Sequence, residues 1–374
     1  MPELQDIFNL HGEEYRRSHP LSPQQQKAMR DIQRCRTAAL GGHMDTCDEC
    51  GFTRQSYNSC RNRHCPKCQT VSKERWIAAQ KADLLDVGYF HVVFTIPDTL
   101  NPVALQNQRV VYNILFKAAA ETLSELAADK KYLGAQLGVT SVLHTWGQNL
   151  AIHPHVHCIV PGGGLDSLGR WVDSRKKFFI PVKVLSRKFR GKFLYYLKQA
   201  KLAFYGQEAY LEDPVMFSNF LSALYQKEWI VYCKPPFRNA GCVVEYLGRY
   251  THRTAISNSR IIKLENGMVS FRWRDYRDGN KQKIMTVTAA EFIRRFLTHV
   301  LPSGYTKIRH YGFLSSRGKS TKLELCKRLT HTAIVTDLAG LSAPELFKAL
   351  TGVDFTLCPC CGKGHFVRGA PATT

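Results

Sequence analysis

The chain is short of acid. Thirty Asp and Glu stand against 52 Lys and Arg in 374 residues, a formal net charge of +22. That deficit argues against a cationic partner and points to a polyanion, with nucleic acid first. A membrane surface is the second polyanion, but long apolar runs are missing as well. The best candidates, such as residues 89–96, are strand-sized and far too short to span a bilayer. No cleavable leader is expected, because Met1-Pro2-Glu3-Leu4-Gln5-Asp6 is polar and acidic. The setting expected is therefore cytoplasmic. In that setting the 13 cysteines read as metal ligands and reduced thiols, not as a disulfide framework. No internal repeat and no low-complexity tract occurs. The remaining class is a globular chain with room for two or three domains.

Hydrophobic periodicity and turn residues divide the chain coarsely. Residues up to about 34 are expected to be helical, with a helix start at Ser22-Pro23. Residues 71–85 and 101–128 read as helices, and 89–96 as a buried strand stopped by Pro97. Residues 139–150 and 153–160 read as two strands of one sheet. Helices are expected over 186–210, 214–232 and 289–300. Residues 242–253 read as a short helix or a strand-to-helix unit. Two strands, 260–264 and 268–273, flank Glu265-Asn266-Gly267, a hairpin turn. Residues 369–374 are expected to fray.

Cys47-x2-Cys50 and Cys65-x2-Cys68 are two chelating pairs fourteen residues apart. Two such pairs can close one tetrahedral four-cysteine zinc site. Cys35, His43, Cys60 and His64 interleave with them and could complete a second site, replace a member of the first, or be buried thiols and surface imidazoles. Arg61, Arg63 and Lys67 beside the second pair would offer positive charge to DNA phosphates. Cys358-Pro359-Cys360-Cys361 with His365 is a further group of this kind, lacking an obvious second pair.

Two patterns carry reactive chemistry. In Ile152-His153-Pro154-His155-Val156-His157-Cys158-Ile159-Val160, strand alternation projects His155 and His157 from one face, where His153 could join them. Two imidazoles so placed make a pincer for a divalent metal, or simply a polar strand face. In Glu245-Tyr246-Leu247-Gly248-Arg249-Tyr250-Thr251-His252-Arg253, helical spacing puts Tyr246 and Tyr250 on one face, flanked by Arg249 and Arg253. Nearby cations favour phenolate and grip phosphate. Taken alone, such a tyrosine pair is ordinary core packing. Residues 186–201 carry Arg187, Lys188, Arg190 and Lys192 among six cations and no acid, with aromatics interleaved. Residues 305–328 repeat that pattern, which suits a groove tracking a nucleic-acid strand.

With these residues together, the chain resembles the two-tyrosine HUH transposases of the insertion sequence 91 family, which are themselves similar to rolling-circle replication proteins. The resemblance rests on His155-Val156-His157, on Tyr246 with Tyr250, and on the Cys47/Cys50/Cys65/Cys68 region with Asn62-Arg63-His64-Cys65-Pro66-Lys67-Cys68. It runs from about residue 10 to about 365. It implies an α+β fold: an N-terminal zinc-binding domain over 1–85, then an HUH endonuclease domain over 86–260 whose central antiparallel sheet is flanked by helices, then a basic C-terminal region over 261–374. It implies that His155 and His157 hold Mg2+ or Mn2+, with Gln148 the expected third ligand and His153 the alternative. Structural Zn2+ is implied for the cysteines. The implied reaction cleaves and rejoins single-stranded DNA at transposon ends through a 5′-phosphotyrosine, with no membrane and no protein partner inferable. A replication initiator or relaxase would share this chemistry. A non-catalytic zinc-dependent regulator would explain the cysteines and charge, and a metal hydrolase the histidines, but neither explains the tyrosines.

Overall fold

The paired strands expected at 139–150 and 153–160 form the centre of the molecule. In the computed structural model, which describes residues 1–175, 180–234, 248, 255–276, 278–333, 338 and 340–372, they are β4 (Gly138–Trp146) and β5 (Ile152–Pro161). Three more strands extend the sheet: β3 (Tyr89–Thr95), β8 (Val231–Lys234) and β12 (Ile308–Gly312). The order is β12-β4-β5-β3-β8, antiparallel throughout.

Alternation gives this sheet two unlike faces. Val92, Phe94, Leu143, Val156, Cys158 and Val160 lie in one buried cluster with Leu115, Phe116 and Leu123 of α5 (Gln108–Ala128) and Phe189 and Phe193 of α6 (Val182–Gln199). Leu185, Phe189, Phe193 and Leu197 recur every four residues, so a single stripe of α6 is buried. The opposite face carries histidines. Tyr89 and Ile159 on that face pack with Trp76 of α3 (Gln69–Ala82).

A second core forms from segments far apart in the chain. Leu4, Ile7 and Phe8 of α1 (Leu4–Ser18) and Ala28, Met29 and Ile32 of α2 (Pro23–Arg34) cluster with Phe292, Ile293 and Phe296 of α8 (Ala289–Thr298). Val269 and Phe271 of β10 (Met268–Asp275) complete it. Asn266 and Gly267 both take positive φ, as the turn between β9 (Ile261–Glu265) and β10 requires, and β11 (Lys281–Thr288) pairs on the other side of β10. Ser22 accepts from the Gln25 amide and Pro23 opens α2, which makes the expected helix start. No helix among the described residues is long and apolar enough to cross a membrane.

Three expectations fail, each for a tertiary reason. The helix expected over 186–210 ends at Gln199, because Asn107 grips both backbone groups of Ala203 at 2.8 Å and draws the chain out. The helix expected over 214–232 is α7 (Pro214–Gln226); Trp229 then turns into the core and residues 231–234 join the sheet edge. The tail expected to fray carries β13 (Phe366–Ala372), which pairs with β1 (Gly42–Cys47). The region 242–253 lies outside the described residues apart from Gly248, which is helical.

The turn between β4 and β5 is held from a distance. Leu150 adopts positive φ. Its carbonyl accepts from His299 Nε2 at 3.0 Å, and Arg295 Nη1 donates to the Asn149 carbonyl at 3.0 Å. Arg260 donates to the Gln148 carbonyl. Since a carbonyl only accepts, His299 carries its proton on Nε2 and takes the Thr145 hydroxyl proton on Nδ1, 3.2 Å away. Burial pushes its pKa from 6.5 down to about 4, against the opposing pull of the Leu150 carbonyl. A lowered histidine pKa gives stability that is whole above pH 6.5 and lost as pH falls through about 4, on the order of 3 kcal/mol. The stability gap between wild type and His299→Gln should therefore narrow as pH falls from 7 to 4 in chemical denaturation; a gap independent of pH would refute this assignment.

Candidate metal and nucleic-acid site

His155 and His157 stand where strand alternation puts them, and a third histidine meets them. His144 of β4 is paired directly with His155. The three offer ligand atoms within 4.8 Å of one another. Ring centroids are 4.4 Å apart for His144 and His157, 4.8 Å for His155 and His157, and 5.4 Å for His144 and His155. His144 is nearly buried and lies against the Trp146 ring.

Hydrogen bonds orient two of the rings. His155 Nδ1 donates to the His153 carbonyl at 2.6 Å, leaving Nε2 for a metal. His157 Nδ1 lies 2.8 Å from Nε2 of His91 on β3, the two rings parallel within 3°. A metal-ligating histidine commonly holds its second nitrogen in this way, which sets tautomer and ring angle. Burial, reinforced by the neighbouring His153, lowers His155 to about 3. Burial followed by His144 takes His157 well below its ordinary value. His91 falls to about 4, through burial and then Lys234. Neutral imidazoles with free lone pairs are what a metal needs at neutral pH.

Gln148, the expected third ligand, bonds elsewhere. It sits in the β4–β5 turn with Nε2 3.2 Å from the Tyr276 hydroxyl. There it lines a cleft of about 460 Å³ with Asn149, His153, Trp273, Arg274 and Tyr276. His153 stands between the two places, its ring 4.9 Å from that of His155. The missed residue is His144: counting outward from the turn at 147–151 brings residue 144 opposite 154, and only the register shift between His144 and Trp146 sets it opposite His155.

Tyr246, Arg249, Tyr250 and Arg253 lie outside the described residues. Gly248 between them is buried, and a Cβ there would come within 2.2 Å of Ile77 Cδ1 on α3. That is the helix whose Trp76 packs over Tyr89 and Ile159 on the histidine face.

The cysteines group differently from the expected set. Cys65 and Cys68 cluster with Cys35 and Cys60, while Cys47 and Cys50 cluster with Cys358 and Cys361. Spacing suggests joining the two nearest pairs, but β1 and β2 (Thr53–Tyr57) carry Cys47 and Cys50 away from Cys65. Sulfur separations in the first cluster are 3.4 Å for Cys35–Cys68 and 3.6 Å for Cys60–Cys68. Cys35 caps the end of α2 and Cys68 the start of α3, so a metal here fastens two helices. His43 and His64 belong to neither cluster. His43 pairs with Asp45, and burial lowers His64 to about 3 with help from Lys307 and Arg63.

The basic residues divide into committed and available. Lys188 and Lys192 pair with Glu125, and Lys192 also with Glu121, acids of α5 that the local sequence does not reveal. Arg190 donates to the Lys227 carbonyl, Arg63 donates to that of Tyr305, and Lys67 pairs with Glu3. Arg187 is exposed. Arg61 is exposed and, with Arg36, Lys67 and Arg75, lines a cleft of about 920 Å³ whose other wall carries Phe347 and Phe355.

Comparison with known proteins agrees with this arrangement. Residues 138–322 match the family model described as a putative transposase, and residues 7–96 match the one described as a transposase zinc-binding domain. Two relatives span most of the chain. A putative transposase, y4qJ, of Sinorhizobium fredii is 47% identical over 384 residues, covering 98% of this chain and 94% of the relative. The transposase for insertion sequence element IS801 of Pseudomonas savastanoi pv. phaseolicola is 30% identical over 334 residues, covering 88% and 79%. A zinc-binding domain built on clustered cysteines, a histidine-bearing antiparallel sheet and these relatives agree: the chain belongs to the insertion sequence 91 family of transposases.

Proposed function

We propose that this transposase cleaves and rejoins single-stranded DNA through a 5′-phosphotyrosine, at a divalent metal held by His144, His155 and His157, in rolling-circle-type transposition. The observation that carries the reading is the three-histidine cluster on one rigid sheet face in a transposase chain. Three neutral imidazoles with no carboxylate suit Mn2+ better than Mg2+, which prefers oxygen ligands. Bound there, the ion would polarise the scissile phosphate and offset developing negative charge.

The protein's own part is positioning. The paired strands hold the three rings, and His91 holds the ring of His157 through Nδ1. Tyr246 or Tyr250 attacks phosphorus: its hydroxyl gives up a proton as the Oη–P bond forms, the P–O3′ bond breaks, and the departing 3′ oxygen takes up a proton, so none is gained or lost overall. The phosphodiester free energy is kept in the new ester, so rejoining needs no ATP. Two tyrosines let one site hold one end while cutting another, with Arg249 and Arg253 gripping phosphate. Gly248 packed on Ile77 supports placing this segment over the histidine face. Gln148 takes the role of a cleft residue beside the metal, with Arg274 and Tyr276.

The cleft lined by Arg36, Arg61, Lys67 and Arg75 is the path we assign to the strand's backbone, with Phe347 and Phe355 for its bases. A zinc ion on Cys35, Cys60, Cys65 and Cys68 stiffens the wall that carries Arg61 and Lys67.

Four outcomes test this reading. Tyr246→Phe combined with Tyr250→Phe should abolish the covalent protein–DNA adduct on single-stranded oligonucleotides with Mn2+. His144→Ala should lower adduct yield at least 100-fold at limiting metal, while Gln148→Ala leaves the metal dependence unchanged; the reverse order would return the third ligand to Gln148. Cys65→Ser should release zinc and lower the thermal midpoint, whereas His64→Ala keeps its zinc, as read by metal analysis and melting. Each single-strand phosphate contact contributes about 0.7 to the slope of log affinity against log salt. Replacing Arg36, Arg61 and Arg75 by Ala should thus flatten that slope by roughly 2; an unchanged slope would place the DNA elsewhere.

A further inference from the structure

We propose that Cys47, Cys50, Cys358 and Cys361 hold a second structural zinc ion, assembled from both ends of the chain and distinct from the ion at Cys35, Cys60, Cys65 and Cys68. The cysteines of the C-terminal knuckle meet partners 308 and 314 residues away. The region that matches a transposase zinc-binding domain stops at residue 96 and so contains only half of this set.

The sulfur geometry is that of a tetrathiolate site. Cys47 Sγ is 3.8 Å from Cys361 Sγ, and Cys50 Sγ is 3.7 Å from Cys358 Sγ. A tetrahedron with Zn–S bonds of about 2.3 Å has S–S edges of about 3.8 Å. A disulfide needs about 2.05 Å, so these pairs are not oxidised. Four thiolates without an oxygen donor select zinc over Mg2+ or Mn2+.

The two knuckles are alike in backbone as well as sequence. Each reads Cys-x-x-Cys-Gly, and both glycines, Gly51 and Gly362, take positive φ. Gly51 N donates to the Cys47 carbonyl at 3.1 Å, and Gly362 N to the Cys358 carbonyl at 2.9 Å. Amides also point at sulfur: Cys360 N at Cys358 Sγ, 3.4 Å, and Gly364 N at Cys361 Sγ, 3.3 Å. Such donors stabilise thiolates around a metal. Between the knuckles, Asp48 N donates to the His365 carbonyl and His365 N to Asp48 Oδ1. Gly364 passes so close that a Cβ would lie 2.5 Å from Cys47 Sγ.

The surroundings show why a metal is needed. Among the described residues, the β13-β1-β2 sheet contributes none to the buried apolar clusters, and β2 is almost wholly exposed. A three-stranded sheet without a core requires another staple. Closing it also ties Phe347 and Phe355 to the wall that carries Arg36, Arg61 and Arg75. The proposal about zinc stands on the sulfur geometry and is independent of the DNA path.

Metal analysis of the purified full chain tests it. Wild type should carry two zinc ions per chain, Cys358→Ser/Cys361→Ser one, and Cys360→Ser, which removes an exposed cysteine outside the cluster, two. One ion in wild type, or two in the double variant, would overturn the site. Should the double variant not fold, alkylation of the zinc-loaded wild type decides. Cys360 should react with iodoacetamide at once, and Cys47, Cys50, Cys358 and Cys361 only after chelation, together. Alkylation of Cys358 and Cys361 as fast as Cys360 before chelation would refute it.

Discussion

The pairing of His144 with His155 across β4 and β5 is the constraint on which the rest depends. Strand side chains alternate with period two, so a slip of one residue would send every side chain of a strand to the opposite face. The register is locked from the core side by Leu143 opposite Val156 and by Ser141 opposite Cys158. The same pairs that seat Val156 and Cys158 against α5 and α6 therefore seat the histidines together on the other face. Hydrophobic burial dominates this choice of register, at about 25 cal/mol per Å² of apolar surface. It supplies the rigidity that three neutral imidazoles, each weakly held alone, do not supply for themselves.

That hairpin is local, but its turn is not self-sufficient. Arg260, Arg295 and His299 take the carbonyls of Gln148, Asn149 and Leu150. Arg295 lies on α8, His299 caps it and Arg260 directly precedes β9, so all three are carried by elements of the second core. The histidine cluster is thus braced by a core built from segments far apart in the chain. Damage to α8 would reach the histidines through backbone carbonyls, without touching their rings.

Much of this was legible in the sequence, and what was not has a common cause. Periodicity is a local signal, and it located β3, β4, β5 and the Asn266-Gly267 hairpin. The His155/His157 pair was visible because both residues share one strand. His144 was not, since its partnership exists only once β4 and β5 are aligned. The cysteines show the same limit. Spacing within Cys47/Cys50 and within Cys65/Cys68 correctly indicates two chelating units, but it cannot tell which units meet. Helix ends failed where tertiary bonds intervened, as Asn107 does at Ala203. The acid-free stretch of α6 looked like a phosphate track, yet Glu121 and Glu125 come from another helix to pin Lys188 and Lys192.

Charge carries a similar lesson for the +22 excess. Its average favours a polyanion anywhere on the surface, but cations already neutralised by a carboxylate have less charge to offer phosphate. Lys67, Lys188 and Lys192 have carboxylate partners, and Arg63 and Arg190 donate to backbone carbonyls. Arg36, Arg61 and Arg75 have no carboxylate partner among the described residues and face Phe347 and Phe355, although Arg36 and Arg75 each keep a long bond, 3.4 and 3.3 Å, to the Lys67 and Leu341 carbonyls. That surface exists only while the C-terminal segment is docked against the cysteine-rich domain. The bracing of the histidine cluster and the cleft of Arg36, Arg61 and Arg75 thus depend on the same architectural device, in which residues beyond 255 pack against the first hundred.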